Sequence, residues 1–447
     1  MLGTRGSEAR ARGPDDRGAG DAGHDTCDVR PGVPGERGSP LRSGAARLAG
    51  GVRPSGGPDP TAGPLLRGRD GPSGPGRADG DPLGPAGSPG GARGPRFDAP
   101  LPPGGYRWWY LDALSGDGRF GLVAIVFLGS VFSPYYALAR RLGSAPAERH
   151  CAVNLALYAP GRSYWAMTER GLPAIARDAS SFRIGPSRLA WEGEDLRLEV
   201  DERTAPWPRR LRGRVRLRPE SLPGRVVLLA AEGSHRWWPI APRARVEVVF
   251  DEPALRFTGS GYLDANEGLE PLEARFRNWD WSRAGDGRET SILYEGTRRD
   301  GSALALALHA GRDGGLEPFV PPPRQPLPRS RWGLARSTRV DPGHRARLVR
   351  SLEDGPFYAR ALLATRLAGH TLPAIHETLS LDRFARPWVQ LLLPFRMPRR
   401  GGRSPHRAEL PDREGEHPAQ DQQALEQDDG AGLHGRNLSL RGRSEEG

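Results

Sequence analysis

Between Glu232 and Gly268 the chain reads EGSHRWWPIAPRARVEVVFDEPALRFTGSGYLDANEG, and its middle alternates Val246, Val248 and Phe250 with Arg245, Glu247 and Val249. This is the two-residue period of a half-buried strand. The same period returns at Leu196, Leu198 and Val200, at Val215 and Leu217, and at Leu304, Leu306 and Leu308. Turn residues punctuate these runs at short intervals: Gly185-Pro186, Gly193, Pro206, Pro208 and Pro223-Gly224, with Arg299-Asp300-Gly301 as a hairpin turn. Many short strands so spaced predict an antiparallel all-β barrel or sandwich.

The segment GYRWWYLDALSGDGRFGLVAIVFLGSVFSPYYALAR reads as strand, Gly/Asp turn, strand, then a loop at Ser133-Pro134. Its apolar run, Phe120 to Phe132, falls short of the about 20 residues of a membrane-spanning helix and suits strands buried on both faces. The opening MLGTRGSEARARGPDD lacks the apolar centre of a secretory signal. A soluble or membrane-peripheral protein is therefore expected. GLEPFVPPPRQPLPRSRW lacks ladder donors and reads as a loop or extended connection, and FARPWVQLLLPF (384–395) closes the ordered part against a core or an apolar membrane surface. Flanking segments 1–97 and 401–447, rich in Gly, Pro, Arg and charge, cannot bury enough apolar surface to offset chain entropy and are expected to be disordered. Because the methionine after Met1 is Met167, a start codon assigned too early is an alternative to a genuine N-terminal tail. The remaining residues suffice for two β units, 98–265 and 266–400.

The formal charge of +11 raises nucleic acid as a partner. However, every basic residue is Arg, the arginines are scattered, and no recognisable nucleic-acid module appears. Two cysteines, Cys27 and Cys151, make no disulfide framework, and His150-Cys151 lacks a second ligand pair at zinc spacing. No nucleophile elbow and no phosphate-binding loop ending in Gly-Lys is present.

Extended residues two apart share a face. His235 with Trp237, and Tyr262 with Asp264, therefore make two pairs that could bring an imidazole, an indole, a phenol and a carboxyl into one apolar cavity. Taken singly, these types also serve as turn, packing or core residues. Trp279-Asp280-Trp281 is of similar make-up and reads as wall or lid. At GYRWWYLDAL, FLGSVFSPYYALAR, HCAVNLALY with WAMTERG, and HRWWPIAPRARVEV with GSGYLDANEG, the sequence resembles the carotenoid 1,2-hydratases, also called hydroxyneurosporene synthases, over roughly residues 98–398. The resemblance implies two lipocalin-like antiparallel β-barrel units, no cofactor, and addition of water to the terminal 1,2 double bond of acyclic carotenoids such as neurosporene and lycopene. It also implies an active site at His235, Trp237, Tyr262 and Asp264, with Asp264 donating the proton.

Protonating an isolated alkene needs a strong acid and a site that tolerates a carbocation. A carboxyl kept neutral by an apolar pocket meets the first need. Trp237 could offer its π face to the cation, Tyr262 could hold the carboxyl or the water, and neutral His235 could accept the water's proton. Tyr135, Tyr136, Trp108 and Trp109 are candidate lining residues. The carotenoid is the expected partner, together with peripheral membrane lipid and without nucleic acid. The rival functions are a lipocalin-like carrier of an apolar pigment or lipid, which needs no poised acid, and another cation-forming lyase or isomerase.

Overall fold

The computed structural model describes residues 91–401 apart from 144 and 231, with the backbone of a two-residue strand, Leu83–Gly84. Nearly all of the two flanking segments thus lies outside the described residues. Phe97, read as tail, is instead buried against Trp109 and Phe182, so packing starts earlier than expected because this aromatic anchors the segment.

The described chain is mostly strand, in two large sheets. The first holds β1 (Tyr106–Ser115), β2 (Gly121–Leu128), β3 (Cys151–Ala159), β4 (Arg162–Arg170), β5 (Asp195–Arg203), β6 (Arg210–Pro219), β7 (His235–Glu252) and β8 (Leu255–Gly268), with several shorter strands. Its order β4-β3-β2-β1-β8-β7-β6-β5 places the long β7–β8 hairpin at the centre. After Gly268 the chain crosses to the second sheet, which includes β9 (Phe276–Gly285), β10 (Thr290–Arg298), β11 (Tyr358–Leu367) and β12 (His370–Ser380) in the order β10-β9-β12-β11.

Alternation along the strands assigns the two faces of the first sheet different tasks. Trp109, Leu111 and Ala113 of β1 join Val246, Val248 and Phe250 of β7 in a core enclosed by the curl of the sheet. Trp108 and Tyr110 turn the other way, into a second core shared with β9, β10 and β12. The curl is held by Arg170 of β4, which donates to both carboxylate oxygens of Glu202 on β5 (2.9 and 2.8 Å) although these strands lie far apart in the sheet order. Both partners are buried, so losing one would strand an unpaired charge in the core.

Two departures from an all-strand chain have local causes. Where a loop was expected, Ser133 caps helix α1 (Pro134–Arg141): its Oγ accepts from the Tyr136 N–H at 3.0 Å, and Pro134 fits the first turn. FARPWVQLLLPF forms helix α2 (Pro387–Arg396), with Val389 and Leu393 four apart and buried. Pro387 starts it without the loss of a hydrogen bond.

Candidate active site

Tyr262 and Asp264 lie on one face of β8, as their spacing predicts. Trp237 reaches them from β7, where it stands opposite Asn266. The β7–β8 register shifts between Trp238 and Ala244. Pro239 and Pro242 lie in this interval, and neither can donate to a ladder. The Trp237 indole Nε1–H and the Tyr262 hydroxyl both donate to Asp264 Oδ2, at 2.9 and 2.8 Å. Oδ1 is buried and has no hydrogen-bond partner. Burial pushes the Asp264 pKa up to about 8, even though the two donors favour the anion; the nearby Glu377 and Asp112 charges add to the rise. Near neutral pH burial therefore favours the protonated carboxyl, and Oδ1 is the oxygen not already accepting a hydrogen bond.

His235 is elsewhere. Its Nδ1 is 2.8 Å from the Tyr106 hydroxyl, while Nε2 lies 3.4 Å from Glu270 Oε1 without the alignment of a hydrogen bond. Burial lowers its pKa to about 4, partly opposed by Glu270, so the ring is neutral. A Cβ on Gly268 would lie 2.2 Å from Tyr106 Cε1 and 2.8 Å from His235 Nδ1; the absence of a side chain there lets the two rings meet. The structure thus joins three of the four expected residues directly, whereas His235 reaches only the cavity wall, through Tyr106, which stacks on Trp108 at 5.0 Å.

Asp264 opens on a cavity of about 130 Å³ between the two sheets. Its wall is largely aromatic: Trp108 and Tyr110 from β1, Trp279 and Trp281 from β9, Tyr294 from β10. Trp237 touches the cavity only through its neighbours, its ring lying 4.9 Å from that of Tyr294. Of the other lining candidates only Trp108 takes part: Trp109 faces the inner core, and Tyr136 is buried with its hydroxyl on Gly105 O. Trp279 and Trp281 form wall as expected, while Asp280 between them turns away to accept from Thr378 at 2.6 Å.

The opposite wall holds residues that the sequence reading missed. Glu377 of β12 accepts from Arg360 Nε at 2.7 Å and from the Tyr110 hydroxyl at 3.0 Å, both through Oε1. Arg360, only 1% exposed, also donates to Tyr158 and Glu353. In a chain where arginine is everywhere, nothing distinguishes the buried one, and Glu377 lies 113 positions from Asp264. The only available signal was HETLSL, where a strand pattern carries a charged residue on its inward side. Among the described residues no cluster of three or more His, Cys, Asp or Glu side chains is arranged to hold a metal.

The chain matches the family described as carotenoid hydratase CrtC over residues 124–406. The acyclic carotenoid 1,2-hydratase of Thiocapsa roseopersicina is 50% identical over 380 residues, covering 85% of this chain and 94% of that protein. This match is longer than 98–398 and therefore extends into the flanking segments. The acyclic carotenoid 1,2-hydratase of Rubrivivax gelatinosus is 49% identical over 310 residues, 68% of this chain and 76% of that one. Among solved structures, CghA with Sch210972 aligns with a TM-score of 0.44 and 12% identity, over 65% of this chain and 96% of that one.

Proposed function

Since this chain belongs to the carotenoid hydratase family, we propose that it adds water to the terminal 1,2 double bond of acyclic carotenoids by acid catalysis, with Asp264 as the proton donor. The reading rests on one observation above all: the buried Asp264 carboxyl receives both its hydrogen bonds on Oδ2, and its other oxygen has no partner, beside an aromatic cavity.

Asp264 protonates carbon 2, and positive charge develops at the tertiary carbon 1. Trp108, Trp279 and Trp281 present π-systems around it, each worth about 0.5 to 2 kcal/mol to a desolvated cation. Water attacks carbon 1 and passes a proton to Glu377, which Arg360 and Tyr110 hold across the cavity. The product has gained one hydrogen and one hydroxyl. Asp264 is left as the anion and Glu377 as the acid, and proton exchange with solvent restores both. Trp237 and Tyr262 orient the acid. His235 positions Tyr106, and through it Trp108. The addition is redox-neutral and needs no cofactor. We read the two sheets as two lipocalin-like units with the reaction between them, and peripheral membrane contact as the route to a lipid-soluble substrate.

Purified protein incubated with detergent-dispersed lycopene should give product heavier by one water, while Asp264→Asn should bind the pigment and return it unchanged. Hydration by both would exclude Asp264 as the acid. Pigment bound but unaltered by the parent protein would leave a carrier.

A further inference from the structure

Helix α2 presents two apolar faces. Val389 and Leu393 point inward and are buried, whereas Trp388, Leu391, Leu392 and Phe395 are 46%, 72%, 42% and 75% exposed. Their spacing of i, i+3, i+4 and i+7 gathers them into a stripe along one side of the helix. Trp332, itself 46% exposed, stacks on Trp388 at 6.3 Å, and α1, which touches α2, adds exposed Leu138 and Leu142. A contiguous apolar surface of this kind marks an interaction site. It adjoins the cavity, because Leu393, Arg396 and Met397 at the inner side and end of the helix are among its lining residues.

The surrounding charge indicates what covers it. From Arg383 to Arg400 there are five arginines and no acidic residue. Arg141, Arg386 and Arg400 are exposed and form no ion pair among the described residues. A second copy docked face to face would set these cations against each other, whereas an anionic headgroup layer complements them and the apolar stripe enters the acyl boundary beneath.

We propose that the outer face of α2, flanked by the end of α1, docks on an anionic bilayer and places the cavity mouth at the lipid surface, so that the end of the polyene enters without crossing water. The identity of the cargo rests on the carotenoid reading above; the docking itself does not. The test uses the full chain, the double variant Leu391→Asp/Phe395→Asp, and vesicles of phosphatidylcholine with or without phosphatidylglycerol.

The parent should float with the anionic vesicles and at least tenfold less with the neutral ones. The double variant should lose flotation by at least tenfold while keeping its thermal midpoint and its turnover of detergent-dispersed lycopene. Its turnover of lycopene dissolved in anionic vesicles should fall by a similar factor. Arg386→Glu/Arg400→Glu should remove the preference for anionic lipid. Equal flotation of parent and double variant would overturn the proposal, as would a parent that ignores vesicles or a double variant that only converts a dimer to monomer. Absence of hydration by the parent in detergent would instead sink the proposed function and leave the flotation result to decide the surface.

Discussion

Asp264, on the wall supplied by the first sheet, is held by two neutral donors, Trp237 and Tyr262; Glu377, on the wall supplied by the second, is held by the guanidinium of Arg360 and by the Tyr110 hydroxyl. Both carboxyls reach the same cavity. A neutral donor offsets only part of the cost of burying an anion, so the Asp264 proton stays on. On the other wall the buried guanidinium of Arg360 lies directly against the Glu377 carboxyl. Two carboxyls in such unlike surroundings suit one to give and the other to take a proton in one cycle.

The largest expected effect comes from breaking the acid. Asp264→Asn should lower hydration by about 10³-fold, within the range for general acid catalysis. In the parent, turnover should fall as pH rises through about 8, where Asp264 ionises. The same group governs stability. Its folded pKa lies above the ordinary value of 3.8, so its contribution is fully present below that value and is lost as pH rises toward about 8. Thermal melts should show Asp264→Asn gaining on the parent between pH 4 and 8, by on the order of 5 kcal/mol at most, and a constant difference above that. A gap that did not change with pH would remove the raised pKa.

Breaking the other wall separates the two roles. Glu377→Gln should lower hydration by roughly 10²-fold, while protonation of carbon 2 and its reversal persist. In D₂O, recovered lycopene should then gain deuterium without gaining water, whereas Asp264→Asn should show neither. Loss of both exchange and hydration in a folded Glu377→Gln protein would make that residue structural.

A smaller effect sharpens the contrast. Tyr262→Phe removes a donor that favours the anion, so the alkaline limb of the pH–rate profile should move further up, with turnover reduced about tenfold by the less fixed acid. A limb moving down would reverse the assigned sign. Least affected should be His235→Asn, which leaves Asp264 untouched and frees the Tyr106 hydroxyl. A few-fold loss of turnover and about 1 kcal/mol of stability are expected, measured by kinetics and thermal melts. A loss as large as that of Asp264→Asn would put the imidazole in the chemistry.

The strand architecture around this site was legible because Val246, Val248 and Phe250 alternate with exposed Arg245 and Glu247, a local consequence of the pleat. The same rule paired Tyr262 with Asp264. It also put His235 beside Trp237, but sharing a face does not decide which neighbour a ring meets, and Gly268 opens room for Tyr106 at that point. The helix from Pro387 was hidden in an apolar run whose length suits strand or helix alike.

Sequence alone, then, determined the strand periods, the turns between them, and one carboxyl, phenol and indole on short neighbouring segments, since these depend on residues a few positions apart. The tertiary structure decided that the cavity lies between two sheets and that Glu377 and Asp264 both line it. It also decided that burial rather than residue type keeps Asp264 protonated, because desolvation and charge pairing depend on which distant side chains the fold packs around a group.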